Sequence, residues 1–544
     1  MGIIMAVLLG VLSLFLLWTL WGRMAHALQM LQQCHYMNDR FTTWIAGHRL
    51  VALPVPLSVL VIAYWVLVVV SFLFPMPGSI LTIGTVVIGV LGLGIIKISS
   101  GVSKESKKPL KITARVWRII ATGSILMLLI AGLGSFFLGA NGLMLLSQIA
   151  GWLLTFNLFA YVVMLLANEI NKPMENSIRL GFINDARRIV TESPSLDVIG
   201  VTGSYGKTSV KNFLYKTLSS QYEVLITPKN YNTTMGVVKT IRENLKPIHQ
   251  IFICEMGATH VGDIKEICDI VNPKYGIITS VGPQHLESFK SIDNVLKTKF
   301  ELQEAVAKND GFMFLNYNNE YIKNKKINSK YFSYGIDDPS LDYNGSNIKS
   351  TSSGISFDIA KDKETTHFET SIIGKHNVIN LVGAIACANF LGVPYKKMIP
   401  KIRELKPVAH RLELINRGNI TIIDDSYNSN PVSSKSAIDT LLEFEGTHII
   451  VTPGLIELGS NEDKYNFELG KYAAKCDYIY LVGEKHSKPI YDGAISENFD
   501  KNKITVCSSP NEAVLKVNSL NISGKITILL ENDLPDNYNL KWFL

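Results

Sequence analysis

The sequence has no cysteine pair at disulfide or metal-ligand spacing. Its six cysteines, Cys34, Cys254, Cys268, Cys387, Cys476 and Cys507, are scattered over 544 residues. Neither a disulfide framework nor a zinc site follows, and free thiols in a reducing compartment are the simplest reading. No long basic run with interleaved aromatics occurs and the net charge is only +7, so nucleic acid is not an expected partner. There is no internal repeat and no low-complexity tract. The long apolar segments in the first third carry no ionisable residue at their centres, which argues against a transporter or proton channel. The first of them has no basic residue ahead of it and no small-x-small cleavage site soon after, so it reads as an anchor and not as a removable signal peptide.

What is present is uneven. Apolar residues make up 47% of the chain but concentrate in the first third. Five segments approach or exceed the length needed to cross a hydrocarbon core of ~30 Å: approximately Ile3–Trp21, Val51–Phe74, Ile80–Ile98, Val116–Leu138 and Leu143–Ala167. Loop cations set an expected orientation. Lys104, Lys107, Lys108, Lys111, Arg115 and Arg118 stand against Glu105 alone between Gly101 and Arg118, and Arg23, Arg40 and Arg49 mark a second basic loop. Both loops are expected on the cytoplasmic side, with the uncharged links near Pro75–Ser79 and Gly139–Asn141 outside. Everything after Ala167 then lies in the cytoplasm.

From Asn171 the texture changes to short apolar runs alternating with amphipathic stretches. Val198–Val201, Ile251–Cys254, Gly276–Thr279, Thr421–Ile423, His448–Val451 and Tyr478–Leu481 read as strands. Ser209–Leu218, Ser433–Phe444 and Asn466–Ala474 read as helices. Such alternation predicts parallel α/β sheets. Thr351–Ser371 alternates more weakly and suggests an antiparallel excursion, and Asn316–Lys330 a surface loop. Lys406-Pro407 is a plausible domain boundary, because proline disfavours helix continuation. The predicted architecture is an α-helical membrane domain (1–170), a P-loop α/β central domain (171–406) and a Rossmann-like C-terminal domain (407–544).

The most informative stretch is VIGVTGSYGKTSVKN, residues 198–212. An apolar strand ends in a glycine loop, and Gly-Lys-Thr-Ser opens a helix. Gly203 and Gly206 let the backbone turn tightly beside a phosphate, and helix N–H groups face the anion. Lys207 suits the terminal phosphates and the Thr208 hydroxyl suits Mg²⁺. Gly203, Ser204, Gly206, Lys207, Thr208 and Ser209 are therefore nucleotide-binding candidates, with ATP or GTP the first ligand to consider. The strict eight-residue pattern is not met, since Val201 stands at its first glycine. Taken alone, the stretch has an ordinary alternative as a glycine-rich turn.

Further motifs follow in a fixed order: NYNTTMG (230–236), ICEMGA (253–258), PQHLE (283–287), KTKFE (297–301), GKHNVIN (374–380), PVAHRLE (407–413) and DDSYNSNP (424–431). Together they resemble the Mur ligase family, the ATP-dependent amide-forming ligases of cell-wall synthesis, over about Asn171 to Leu544. DDSYNSNP and GKTSVK are most similar to the family's D-alanyl-D-alanine-adding branch. The resemblance implies ATP and Mg²⁺ as cofactors. It implies Lys207, His285 and Lys299 as catalytic residues, and Thr208, Glu255, His285 and a carbamylated Lys299 as metal ligands. It implies Asn377, Asn380, Arg411 and Asp425 around the nucleotide, with Asp424 a competitor for the last role. Asn232, Thr233, Tyr427, Asn428 and Asn430 become substrate candidates.

In isolation each residue has a commonplace role: Glu255 a cap, His285 a loop histidine, Lys299 a solvated lysine, Asn377 and Asn380 helix-start residues. The chemistry makes sense of the set. Carboxylate oxygen is a poor leaving group, and γ-phosphoryl transfer from ATP gives an acyl phosphate that an amine can attack. Such an enzyme must neutralise phosphate charge and stabilise an oxyanion. Oxygen donors suit Mg²⁺, and carbamylation would turn a repelling ammonium into a carboxylate-like ligand.

The chain also departs from the family pattern. The amino-terminal domain that holds a UDP-sugar is replaced by the apolar third and a short linker, Asn171–Asp197. A lipid-linked acceptor becomes an alternative to a soluble one. Asn318 stands for an acid in the Asn-x-Asp segment, and TPGLIELG (452–459) replaces Gly-Asp-Met-x-Glu-Leu-Gly, near where the amine is expected. The implied protein is a plasma-membrane ligase with cytoplasmic catalytic domains, joining a cell-wall precursor to an amino acid or dipeptide. Two other readings are a polymerising ligase similar to poly-γ-glutamate synthases, and a scaffold that kept the fold without catalysis. An ATP-powered transporter is a fourth, weaker one.

Overall fold

The structure is a computed structural model that describes all residues except 1, 75–76, 102–108, 139–141, 230, 362–363, 428, 485, 521, 523 and 532–544. The chain divides into two compact units, Met1–Leu180 and Gly181–Leu544. The loop cations Lys104, Lys107 and Lys108, the motif residue Asn230 and the substrate candidate Asn428 lie outside the described residues.

The first unit is helical: α1 Gly2–Gln33, α2 Asn38–Gly47, α3 Arg49–Ala52, α4 Val55–Leu73, α5 Gly78–Gly101, α6 Ala114–Phe137 and α7 Gly142–Thr191. Five helical stretches are long and apolar enough to cross a membrane: Gly2–Gln33, Arg49–Leu73, Ser79–Ser99, Ala114–Phe137 and Gly142–Thr191. Their outward faces carry large apolar groups such as Trp18, Leu128 and Phe136, each more than 70% exposed. Water is a poor solvent for such a surface and a hydrocarbon a good one. Inside, Leu9, Leu12, Leu16 and Leu20 form a buried stripe on α1 at helical spacing. Small residues allow close helix contacts: a Cβ on Gly151 would lie 2.0 Å from the Tyr64 ring.

Two readings of this region change. Arg23, expected in a loop, sits inside α1 and is 3% exposed. Its Nε donates to the Asn157 carbonyl at 2.6 Å, and its Nη2 to those of Val51 and Ala52 at 3.1 and 2.9 Å. A helix leaves its last carbonyls without backbone partners, so the α3 end supplies acceptors that make burial of the guanidinium tolerable. The expected linker 171–197 is mostly helix, because α7 runs on to Thr191. It is fixed partly through polar groups: Arg118 holds Glu175 with two hydrogen bonds of 2.6 and 2.9 Å, and Asn171 donates to Thr122 at 2.9 Å.

The second unit contains two sheets. The first joins β1 Asp197–Thr202, β2 Val224–Ile226, β3 Ile251–Glu255, β4 Tyr275–Ile278, β5 Phe312–Asn316, β6 Lys330–Ile336, β7 Tyr343–Thr351, β8 Gly354–Lys361 and β9 Glu364–Thr370. Their order is β2-β3-β1-β4-β5-β6-β7-β8-β9, parallel as far as β7 and antiparallel from β7 to β9. The weakly alternating 351–371 segment is thus the end of an antiparallel meander. Helices α8 Lys207–Leu218, α9 Thr234–Asn244, α10 Asp263–Val271, α11 Leu286–Phe289, α12 Ile292–Lys308, α13 Glu320–Lys323, α14 His376–Phe390 and α15 Tyr395–Arg403 follow in chain order. α8 and α14 pack in one apolar cluster with the sheet, and α9, α10 and α12 in another. A parallel strand covered on both faces reads as a continuous apolar run. Accordingly Val198, Ile199 and Val201 of β1 are buried, each worth about 1.5–3 kcal/mol.

The second sheet has β10 Glu413–Arg417, β11 Ile420–Asp425, β12 Thr447–Thr452, β13 Tyr478–Val482, β14 Ile504–Cys507 and β15 Ile526–Glu531, in the order β10-β11-β15-β12-β13-β14. Only β10 is antiparallel to its neighbour. Helices α16 Pro431–Leu441 and α17 Glu462–Ala473 contribute to one of its cores. The last strand returns to lie between β11 and β12. The carboxyl ends of these three strands therefore surround the topological switch point, the usual ligand crevice of such sheets.

Candidate functional site

The glycine loop joins β1 to α8 as the spacing predicts. Gly206 has φ +83°, and a Cβ there would lie 2.6 Å from Asn380 Oδ1; a Cβ on Gly203 would lie 2.1 Å from Thr279 Oγ1. Both positions need glycine, one for its backbone angle and both for lack of space. Ser204 is buried and bonds to the Gly282 backbone, so it fixes the loop. Ser209 is buried on the first turn of α8. Lys207 folds back over the loop, donating to the carbonyls of Gly203 at 2.6 Å and Ser204 at 3.1 Å. Burial pushes its ammonium down to about 8, Glu255 works the other way, and Arg411 lowers it further.

Glu255 ends β3 and is 1% exposed. Its Oε1 accepts from Thr208 Oγ1 and from Asn232 Nδ2, both at 3.0 Å. Its Oε2 lies 2.9 Å from Lys211 Nζ, an ion pair without hydrogen-bond angles. Burial disfavours the carboxylate, but Lys211 and Lys207 outweigh it and hold the group below its ordinary range. An ionised carboxylate whose Oε1 stands beside a threonine hydroxyl is an oxygen donor set that fits Mg²⁺. Of the four expected metal ligands, the structure brings together Thr208 and Glu255.

The other two differ. His285, in a left-handed turn at φ +50°, pairs through Nδ1 with Glu457 Oε2 at 2.5 Å. Glu457 follows β12, so this contact links the two sheets' loops. Lys299 lies on α12, 1% exposed, and among the described residues its Nζ has no hydrogen-bond acceptor. Its Nζ stands 5.9 Å from the Phe289 ring centroid. Burial and the nearby Lys207 push the ammonium well below its usual range. A neutral amine is the form that reacts with CO₂.

Asn377, Asn380, Arg411, Asp425, Tyr427 and Asn430 converge on one cavity of about 200 Å³, which also touches Gly206 and Ser209. Asn377 donates to the Ile373 carbonyl at 2.9 Å, and Arg411 lies 5.2 Å from the Tyr427 ring centroid. His376 Nδ1 meets Ser436 Oγ at 2.6 Å across the two sheets' helices, and burial, then Arg411, pushes it down to about 4. Between the two aspartates, Asp425 lines the cavity while Asp424 turns to His410 at 2.7 Å and to Ser426. Thr233 caps α9, and Asn430 caps α16 with a reciprocal Ser433 bond.

Lys211, Glu457, Ser436 and Glu531 were not among the sequence candidates. Lys211 carried a signal, a lysine one turn after Lys207 amid the buried Val210, Phe213 and Leu214 of α8. Glu531 ends β15 opposite Asp425 in register and is fully buried, bonded to Ser429. Burial pushes both carboxyls up, Asp425 to about 6, and for Glu531 the neighbouring Asp425 adds to the rise. In the unfolded chain such groups titrate near ~4. From there to about 6 the unfolded chain releases protons that the folded one keeps, so stability falls as pH rises through that window. Glu531→Gln is expected to flatten this decline, seen as a smaller difference in thermal midpoint between about pH 4 and about pH 7.

Residues 201–388 match the Mur ligase middle domain, and residues 410–530 the Mur ligase glutamate ligase domain. The chain is 31% identical over 314 residues to the UDP-N-acetylmuramoyl-tripeptide–D-alanyl-D-alanine ligase of Bacillus subtilis, covering 57% of this chain and 67% of that one. The crystal structure of MurF from Acinetobacter baumannii superposes with a TM-score of 0.60 at 25% identity, over 67% of this chain and 79% of that one. The MurF ligase from Thermotoga maritima in complex with ADP shares the fold, with a TM-score of 0.58 at 23% identity over 65% and 80% of the two chains. Two matched domains and a relative above 30% identity show that the chain belongs to the Mur ligase family of ATP-dependent, amide-forming ligases.

Proposed function

We propose that the protein is a membrane-held ligase that adds D-alanyl-D-alanine, or another amino acid or dipeptide, to the carboxylate of a muramoyl-peptide precursor. The observation that carries this is the convergence of Lys207, Thr208 and Glu255 at one end of the nucleotide region with Arg411 and Asp425 beside the cavity at the other. The named relatives supply the substrate class.

In this reading ATP lies along the glycine loop, its phosphates facing the N-terminus of α8 and Lys207. Thr208 and Glu255 would hold Mg²⁺, with His285 and carbamylated Lys299 as candidates for a second ion, and the metal would neutralise phosphate charge. An acceptor carboxylate oxygen attacks the γ-phosphorus and the β–γ bridging bond breaks, leaving ADP. The amine nitrogen then attacks the acyl phosphate, inorganic phosphate leaves, and the nitrogen loses a proton. Lys207 offsets charge on the transferring group in the first step. Arg411 and Asp425 belong to the opposite wall, joined to the first by the His285–Glu457 contact, and its closure would exclude water from the acyl phosphate.

The five apolar helical stretches favour one further possibility, a lipid-linked acceptor. Their expected orientation puts the catalytic unit on the cytoplasmic side of the plasma membrane, where ATP is. The test is ADP release by detergent-purified protein given UDP-MurNAc-tripeptide and D-alanyl-D-alanine, with mass analysis of the product. A single amide product supports the soluble-acceptor reading. Turnover only with a lipid-linked glycopeptide moves the acceptor to the membrane, and a ladder of glutamate additions overturns the proposal in favour of a polymerase.

A further inference from the structure

Lys211 closes the GKTSVK stretch but has been given no role so far, and at 1% exposure it is as enclosed as Lys299. It lies on α8 one turn beyond Lys207, and its ammonium is surrounded by three oxygens. It donates to the carbonyls of Thr227 at 3.0 Å and Lys229 at 2.9 Å, and it faces Glu255 Oε2 at 2.9 Å. The first two contacts are hydrogen bonds and the third is an ion pair, so every close partner of the ammonium is an oxygen. Thr227 and Lys229 follow β2 and lead directly into the segment that carries Asn232 and Thr233. The same segment returns to Glu255 by a second route, Asn232 Nδ2 to Oε1 at 3.0 Å, and Asn232 O accepts from Gly257 N at 2.7 Å. The Thr227 hydroxyl accepts from the Glu255 backbone N–H at 3.1 Å.

We infer that Lys211 is a positioning residue that fixes the rotation of the Glu255 carboxylate, so that one of its two equivalent oxygens faces Thr208, and that through the Thr227 and Lys229 carbonyls it ties the acceptor-binding segment to that carboxylate. This rests on the reading of Glu255 as a metal ligand. With Oε2 committed to Lys211, Oε1 is the oxygen directed at Thr208 and the phosphate side. A carboxylate free to rotate would have no such preference, and orientation of a ligand by its outer partner commonly changes metal affinity or activity about 10–100-fold. The same ammonium holds the start of the acceptor segment, so metal use and acceptor binding are coupled through one side chain.

The test compares Lys211→Met, close in length but uncharged, with Lys211→Arg, which keeps the charge but whose planar fork does not match three converging oxygens. The first readout needs no acceptor: binding of a fluorescent ATP analogue with and without Mg²⁺. Lys211→Met is expected to lose about tenfold or more of the Mg²⁺-dependent gain in affinity, with the metal-free affinity unchanged. The second readout is turnover. The acceptor KM and the Mg²⁺ concentration for half-maximal rate are expected to rise together, with partial recovery in Lys211→Arg. If Lys211→Met fails to fold, Lys211→Arg carries the test, and it should show the same raised Mg²⁺ requirement in smaller degree. Unchanged Mg²⁺ dependence in a folded variant overturns the inference. So does an equal loss with and without Mg²⁺, which marks a purely structural residue. Absence of wild-type turnover with every acceptor tried counts against the proposed function alone, because the nucleotide measurement stands without it.

Discussion

Lys207→Ala is expected to lower ligation about 10²–10³-fold while leaving the protein folded. The side chain has no carboxylate partner of its own, since its ammonium rests on the carbonyls of Gly203 and Ser204. Removing it takes one of two cations from the surroundings of Glu255, but Lys211 still pairs that carboxylate at 2.9 Å. The loss therefore falls on the chemistry, where the transferring phosphoryl group would lack its nearest cation. ADP release coupled to product mass, run beside circular dichroism and a thermal transition, checks both halves. A folded Lys207→Ala protein that ligates at the wild-type rate would remove the glycine loop from the mechanism, whereas cell function left intact by a variant that no longer ligates would favour the scaffold reading.

The second large effect concerns Lys299. An ammonium enclosed in α12 with no hydrogen-bond acceptor and with Lys207 nearby is poorly placed as a cation. As a neutral amine it can attack CO₂, forming an N–C bond and releasing a proton. The resulting carbamate is an anion beside Lys207, so repulsion becomes attraction. Lys299→Ala is expected to reduce turnover by on the order of 10²-fold or more. Wild-type activity is expected to decline after CO₂ is stripped from the buffer and to return on adding bicarbonate. A carbon-13 carbonyl signal from labelled bicarbonate, absent in the variant, identifies the adduct. Full activity in Lys299→Ala would remove the residue from the metal site.

These two residues also show what a single sequence reveals. Lys207 was legible because its chemistry is local: a strand, two glycines and a helix start are contiguous, and β1 and α8 fall within two residues of the expected limits. The antiparallel end of the first sheet was legible from period-two alternation over 351–371. Long-range partnerships were not. Glu457 meets His285 across 172 positions, and Glu531 meets Asp425 only because β15 pairs with β11. No spacing rule links such residues, since their meeting depends on how the sheets are assembled. Arg23 was misplaced for a similar reason. A charge beyond an apolar run suggests a loop, but the carbonyls that accept its protons come from α3 and α7.

The strand order of the second sheet bears on the timing of assembly. β15 lies between β11 and β12, with some hundred residues separating it from the first of them. While the ribosome is still adding the intervening chain, those two strands lack the neighbour that joins them. Domains generally fold as units, N-terminal first, and pairing across long separations is slow. The helical third and the glycine loop are therefore made well before the wall carrying Arg411 and Asp425 can consolidate around its central strand. On the proposed reading, a nascent chain would hold the phosphate half of the site without the half that closes it, and ATP consumption is expected only once synthesis has passed Glu531.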